Sequence, residues 1–168
     1  MKPSGGRKSC RPKARSGPGC NFVGPSFFMV TSCARLALEF NLSLMLPTIH
    51  RPDLKTEFLT AERCWILESW NDASDGSVSI ARARVTPGVT TQWHRLRGVD
   101  ERYVVVAGSG LMRTGALVAR KVGPGDIVVI PANAPQQITN DGVTDLIFYC
   151  ICTPPFTPGS YESLEGAS

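Results

Sequence analysis

From residue 77 onward, apolar and polar positions alternate in short bursts, the period-two pattern of strands with one buried face. "SVSIARARV" alternates cleanly for a strand, and "TPG" at 86–88 turns the chain. "VTTQWHRL" predicts a second strand, "RGVD" a loop, and "ERYVVVAG" a β-branched third strand. "SG" and "TG" mark bends around "LMR", and "LVARKV" runs into the turn "GPGD". "IVVIP" is a short apolar strand ended by proline, and "QQITN" and "TDLIFYCIC" are separated by the hairpin signal "DG". Before these, "TEFLTAERCWILESWND" suits an edge strand or a short cover. Short strands at this spacing, with no convincing helix before a Pro-rich tail, predict an all-β antiparallel barrel or sandwich. A βαβ unit, a phosphate-cradling GxxxxGK[ST] and a GxSxG elbow are missing from the sequence, so dinucleotide binding and a hydrolase triad have no foothold.

Charge changes the picture at the N-terminus. The chain of 168 residues carries +4, but residues 1–44 hold seven basic residues against one acid, leaving 11 basic and 13 acidic in 45–168. The barrel region is therefore mildly acidic and offers no basic face for nucleic acid. "MKPSGGRKSCRPKARSGPG" is basic, rich in Gly and Pro and almost free of apolar residues, the composition of a disordered leader. "FVGPSFFMVTSC" has the look of a short signal h-region, and Val30-Thr31-Ser32-Cys33 loosely fits a lipoprotein cleavage box. Gly24 and Pro25 interrupt that run, and Arg35 and Glu39 argue against a membrane span. Met45 opens the first stretch of globular character, so 1–44 is expected to be a leader outside the fold and 45–168 one barrel domain with a Pro-rich C-terminal strap. Six cysteines without a CxxC pair read as core thiols of a cytoplasmic protein rather than a zinc site, with export the alternative. Cys150 and Cys152, two apart, share a strand face.

Two spaced patterns carry a family resemblance. Gly88, His94, Glu101 and Gly108 fall on the frame Gly, five residues, His-x-His, three or four residues, Glu, six residues, Gly, with Leu96 in place of the second histidine. Gly125, Pro131 and Asn140 fall on the frame Gly, five residues, Pro-x-Gly, two residues, His, three residues, Asn. In that second frame Asn133 replaces the glycine and Gln136 the histidine. With "DERYVVVAGSG" and the ending "ICTPPFTPGSYESLE", the region from about residue 60 to 164 resembles the cupin superfamily, in particular its single-domain cupin type-2 group. The resemblance implies a jelly roll, the RmlC-like double-stranded β-helix barrel, and a metal site of three imidazoles and one carboxylate for Mn, Fe, Ni or Zn.

This chain has two histidines, His50 and His94, so three imidazoles cannot come from one subunit. What remains on the frame is one imidazole, one carboxylate and one amide oxygen: His94, Glu101 and Gln136. Strand alternation puts Gln92, His94 and Leu96 on one face and Gln136, Ile138 and Asn140 on another. If those faces look inward, His94, Glu101 and Gln136 converge at the barrel mouth and hold a divalent cation weakly. Gln92, Leu96, Tyr103 and Ile138 are the expected pocket wall. Each residue also has a plainer reading. His94 also reads as a buried imidazole hydrogen-bonded to Glu101 with no metal, Glu101 as solvated or paired with Arg95, Arg97 or Arg102, and Gln136 as satisfying backbone groups near a turn.

Three functions from different classes follow. The first is a small-molecule enzyme with a reduced metal site performing isomerisation, lyase or decarboxylation chemistry on an organic acid or sugar-like substrate. Its metal-free variant uses His94 and Glu101 as the catalytic proton-transfer pair. The second is a non-catalytic ligand-binding module, and the third a degenerate barrel without ligand. A small sandwich leaves sheet edges to cover, so a homodimer is expected, with no membrane or nucleic-acid partner.

Overall fold

A computed structural model describes residues 46–166. The expected leader, its signal-like stretch and Cys33 lie outside these residues. Among the described residues eleven strands run in chain order: β1 (Phe58–Leu59), β2 (Trp65–Trp70), β3 (Ser79–Val85), β4 (His94–Leu96), β5 (Asp100–Ala107), β6 (Gly110–Thr114), β7 (Arg120–Val122), β8 (Ile127–Ile130), β9 (Gln136–Thr139), β10 (Leu146–Thr153) and β11 (Tyr161–Ser163). Two single 3-10 turns, Leu54–Thr56 and Pro158–Ser160, are the helical elements among the described residues. No described helix is long and apolar enough to cross a membrane.

The strands form two antiparallel sheets, ordered β1-β2-β3-β10-β5-β8 and β11-β4-β9-β6-β7. From β3 to β6 each successive strand changes sheet, and β8 to β11 do the same. This is an antiparallel barrel, as the alternating pattern predicts, with the jelly-roll connectivity that the resemblance implies. Its consequence for chemistry is direct. The loop "RGVD" carries the chain from β4 in the smaller sheet to β5 in the larger one, so His94 and Glu101 line the interior from different sheets. Gln136 of β9 is the direct cross-strand partner of His94.

The motif glycines mark turns that need left-handed backbone. Gly88, Gly108 and Gly125 have φ of 76, 74 and 94°, a region where a Cβ is strained. Gly108 is further constrained, because a Cβ there would lie 2.4 Å from the Asp145 carbonyl oxygen. Asn133, standing where the frame has glycine, keeps the same conformation at φ 67°, which asparagine tolerates better than most residues. Its Oδ1 accepts from the Gly98 N–H at 3.3 Å, tying two turns together. Asn140, fully buried, donates through Nδ2 to the carbonyls of Val85 and Thr144, both at 2.8 Å, and accepts from the Gly142 N–H at 3.0 Å. Its place in the frame is thus structural: it pins the loop before β10.

The core divides into two clusters. One joins Ala83, Val85, Tyr103, Val105, Met112, Ile130, Ile138, Leu146 and Phe148, with Cys64 against them. The other is smaller: Leu96, Val99 and Cys152 with Phe156 and Tyr161 packed on it. The apolar run of β8 is less buried than its composition suggests. Ile127 and Val129 are 64% and 61% exposed, because β8 is the last strand of its sheet and only one of its faces meets the core. Arg82 and Arg84, on the outward face of β3, are held by Glu57 at 2.8 and 2.5 Å rather than left in solvent.

Candidate active site

A cavity of about 330 Å³ opens between the two core clusters. Side chains from both line it: Ala83, Tyr103 and Phe148 from one, Leu96, Cys152 and Phe156 from the other. The volume lies at the lower end of the range for small-molecule sites, about 300–1,000 Å³. Leu96 and Tyr103 stand on its wall as expected from sequence. Gln92 and Ile138 do not. Gln92 precedes β4 instead of belonging to it, and its Oε1 accepts from the Tyr161 hydroxyl at 2.6 Å. Ile138 is 1% exposed and packs in the larger core cluster.

His94 begins β4 and is 4% exposed. Its Nδ1 lies 2.8 Å from the Gln92 carbonyl oxygen. A carbonyl can only accept, so Nδ1 carries a proton and Nε2 is the atom free to exchange one. The ring is steadied by Tyr161, whose ring centroid lies 5.1 Å away with 30° between the planes. Nε2 faces Glu62 Oε2 across 3.8 Å, longer than a hydrogen bond.

Glu62 is the residue that sequence reasoning missed. It sits in the turn between β1 and β2, a turn closed by Arg63 N–H to the Thr60 carbonyl at 3.1 Å and by Thr60 N–H to the Cys64 carbonyl at 2.9 Å. The Gln92 N–H donates to the Glu62 carbonyl at 3.1 Å, which fixes this turn against the segment leading into His94. An acid flanked by "FLTA" and "CWIL" is the available sequence signal, but no periodicity says where such a turn closes.

Glu101 lies on β5, opposite Cys152 of β10 and Ile130 of β8, and is 6% exposed. Gln136 donates from Nε2 to Glu101 Oε2 at 2.6 Å, a bond that spans the two sheets. The Cys152 thiol lies 3.7 Å from Oε1. Arg95 instead holds Glu162 at 2.8 Å, and Arg102 donates to the Thr153 hydroxyl at 2.8 Å, so these arginines are engaged away from Glu101. The three residues expected at the mouth do come together, but in the interior: Gln136 has no exposed surface at all.

Burial raises the carboxyls of both Glu101 and Glu62 above the usual glutamate range. For Glu101 the Gln136 amide and then His94 act in the opposite sense. For Glu62 His94 lowers and Glu101 raises. Two carboxyls thus stand beside the His94 ring in one desolvated space. The thiols around them take no part as nucleophiles. Burial pushes Cys64 up to about 12 and Cys150 well above the ordinary thiol value, so both stay protonated.

The same contacts test the expected cation site of His94, Glu101 and Gln136. An amide ligates through oxygen, yet the end of Gln136 that faces the carboxylate is its nitrogen. Gln136 Oε1 is buried without a hydrogen-bond partner, as is Oγ1 of Thr114, its cross-strand neighbour on β6. No three His, Cys, Asp or Glu side chains among the described residues are grouped to hold a metal ion. The trio does not fit a divalent cation. Where the motif has a histidine, this chain has an amide that spends its N–H on the carboxylate.

Comparison with known proteins bears on the family. The Cupin domain family matches residues 81–152. An uncharacterized protein of Methanocaldococcus jannaschii is 34% identical over 87 residues, which is 52% of this chain and 69% of that protein. The chain belongs to the cupin family. Solved cupin-like barrels align with it at low identity. A predicted oxalate decarboxylase from Thermotoga maritima aligns with TM-score 0.58 and 18% identity over 64% of this chain and 99% of its own. A double-stranded β-helix protein from Klebsiella pneumoniae gives 0.55 and 14% over 66% and 92%. The nucleoside dehydratase Pac13 of Streptomyces gives 0.57 and 17% over 70% and 92%. At such identities these cupin neighbours speak for the fold, and the chemistry must be read from this cupin's own side chains.

Proposed function

We propose that this cupin is a metal-independent acid–base enzyme that eliminates water from, or isomerises, a small molecule held in the barrel cavity. One observation carries the reading: His94 Nε2 and Glu62 Oε2 face each other across 3.8 Å at the cavity wall, which buried Glu101 also lines. A ring nitrogen and a carboxyl that burial raises above the usual glutamate range are the two ends of a proton relay. In an elimination, His94 takes a proton from the carbon beside a carbonyl, and the electrons of that C–H bond form a C=C bond. The C–O bond at the next carbon breaks with its electron pair, and Glu62 gives its proton to the departing hydroxyl, which leaves as water. Glu101 offsets the positive charge that develops on the imidazole. Gln136 and Gln92 are positioning residues: the first orients Glu101, the second receives the His94 Nδ1 proton on its carbonyl. That the fold also houses a nucleoside dehydratase is consistent with this class of reaction.

The test is incubation of chelator-treated protein in heavy water with pooled small hydroxy-carbonyl compounds, read by mass spectrometry for loss of water or gain of deuterium. Turnover is expected without added metal, and His94→Gln and Glu62→Gln should each abolish it. Turnover that appears only on adding Mn, Ni, Zn or Fe would overturn the proposal.

A further inference from the structure

The chain beyond β11 makes contacts that neither motif includes. β11 runs antiparallel to β4 and sets Ser163 opposite His94. One residue on, the Leu164 N–H donates to the Trp93 carbonyl at 2.8 Å. Glu165 then turns its carboxylate across two other segments. Its Oε1 accepts from the Trp93 N–H at 3.1 Å, and the same oxygen takes the Arg63 guanidinium. Trp93 directly precedes His94, and Arg63 directly follows Glu62. One charged oxygen therefore ties together the neighbours of both members of the facing pair.

The Glu62 turn has another attachment to this segment, and the two control different things. The Gln92 N–H bond to the Glu62 carbonyl joins backbone to backbone at one point. About one such point a turn can still pivot, and the Glu62 side chain swings with it. The Glu165 link lies one residue further along on both sides, supplies the second point and removes the pivot. The turn needs holding, because Arg63 has φ 66°, left-handed backbone that a residue with a Cβ adopts only at a cost in strain. We infer that Glu165 is a positioning residue for the acid–base pair: through Trp93 and Arg63 it fixes the separation and aim of His94 Nε2 and the Glu62 carboxyl. The inference rests on reading those two groups as the reacting pair. Glu165 does not itself line the cavity, so it acts only through its neighbours. Glu165 and Arg63 are both exposed, so their link contributes little to overall stability, and its effect falls on local geometry.

His94 reports this geometry directly, because the chain holds one other histidine, His50, whose signal His50→Gln identifies. The Cε1–H proton resonance of His94 is recorded in the full chain at neutral pH, with and without Glu62→Gln. In the wild-type background that substitution should displace the resonance. Combined with Glu165→Ala, the displacement should shrink by at least about half. Arg63→Gln should shrink it likewise, and Glu165→Gln, which keeps an oxygen for the Trp93 N–H, should fall between. Melting temperatures should stay within about 4 °C of wild type. In turnover, Glu165→Ala should lower kcat at least about tenfold with KM within about twofold. An undiminished displacement in Glu165→Ala or Arg63→Gln, or none in the wild-type background, would overturn the inference. So would a larger fall in melting temperature in both variants, which marks a folding role. Failure of the catalytic reading looks different: a resonance that Glu165→Ala uncouples from Glu62, with no turnover of any hydroxy-carbonyl compound, sinks catalysis and leaves the positioning standing. Turnover that needs His94 and Glu62 but not Glu165 does the reverse.

Discussion

Replacing Gln136 by leucine keeps the buried volume roughly constant and removes the donor of the 2.6 Å bond to Glu101 Oε2. Neither residue can turn to water for a substitute, since Gln136 is 0% and Glu101 6% exposed. A hydrogen bond to a charged group contributes about 1.5–3 kcal/mol, and deleting the unpartnered Oε1 returns on the order of 1 kcal/mol, so a net loss of about 0.5–2 kcal/mol is expected near neutral pH. The loss should depend on pH in a defined sense. The Glu101 carboxyl is raised above the ordinary value of 4.5 by burial, so its contribution to stability is full below 4.5 and declines as pH rises toward the raised folded value. Gln136 acts against burial by lowering that carboxyl. Without it the folded value moves higher still, and the decline continues further up the pH scale. Below pH 4.5 the carboxyl is protonated in both folded and unfolded chains, and the variant should approach wild type. Urea unfolding of both proteins at acid, neutral and mildly alkaline pH measures the gap directly. A gap that stays constant, or narrows as pH rises, would refute this account of the Gln136–Glu101 pair.

Three further outcomes are expected. Gly108→Ala places a Cβ 2.4 Å from the Asp145 carbonyl oxygen at a positive φ, and should lower stability by about 3 kcal/mol or more in thermal or urea unfolding, whereas Gly88→Ala, with nothing within 4 Å, pays only the backbone strain of about 1 kcal/mol. Calorimetric titration of Mn, Ni and Zn should find no tight site in wild type, and Leu96→His with Gln136→His together should create one; equal weak binding by both proteins would contradict the donor-set reasoning. We propose that the exposed Ile127 and Val129 of edge strand β8 join two copies into a dimer, so sedimentation should give a dimer for wild type and a monomer for Val129→Glu.

The strands from β3 onward were legible because half-buried antiparallel strands write their geometry into the chain with period two. The spacing from Gly88 to Gly108 also puts His94 and Glu101 on two successive strands, and the structure has them on β4 and β5. The faces near strand ends were less legible. Alternation from Gln92 to Leu96 assumes a strand throughout, but β4 starts at His94, and Gln92 turns to Tyr161 instead. Period two holds only where both neighbours in the ladder are present, and here β9 and β11 reach no further than His94.

What the sequence by itself determined is therefore the jelly-roll pattern, the turns that demand glycine or asparagine, and the shortage of imidazoles that rules out the parent three-histidine set within one chain. What only the tertiary structure decided is how the remaining polar groups use one another. Glu62 precedes the matched region by 19 positions in the chain, as Glu62 against Ala81 shows, yet the folding of β2 beside β3 brings its turn against His94. The direction of the Gln136 amide depends on finding a carboxylate across the barrel, in a sheet its own strand does not belong to. Hydrogen bonding and charge act through space at a few ångströms, whereas a sequence pattern records only neighbours along the chain, so the motif could name the participants and not their partners.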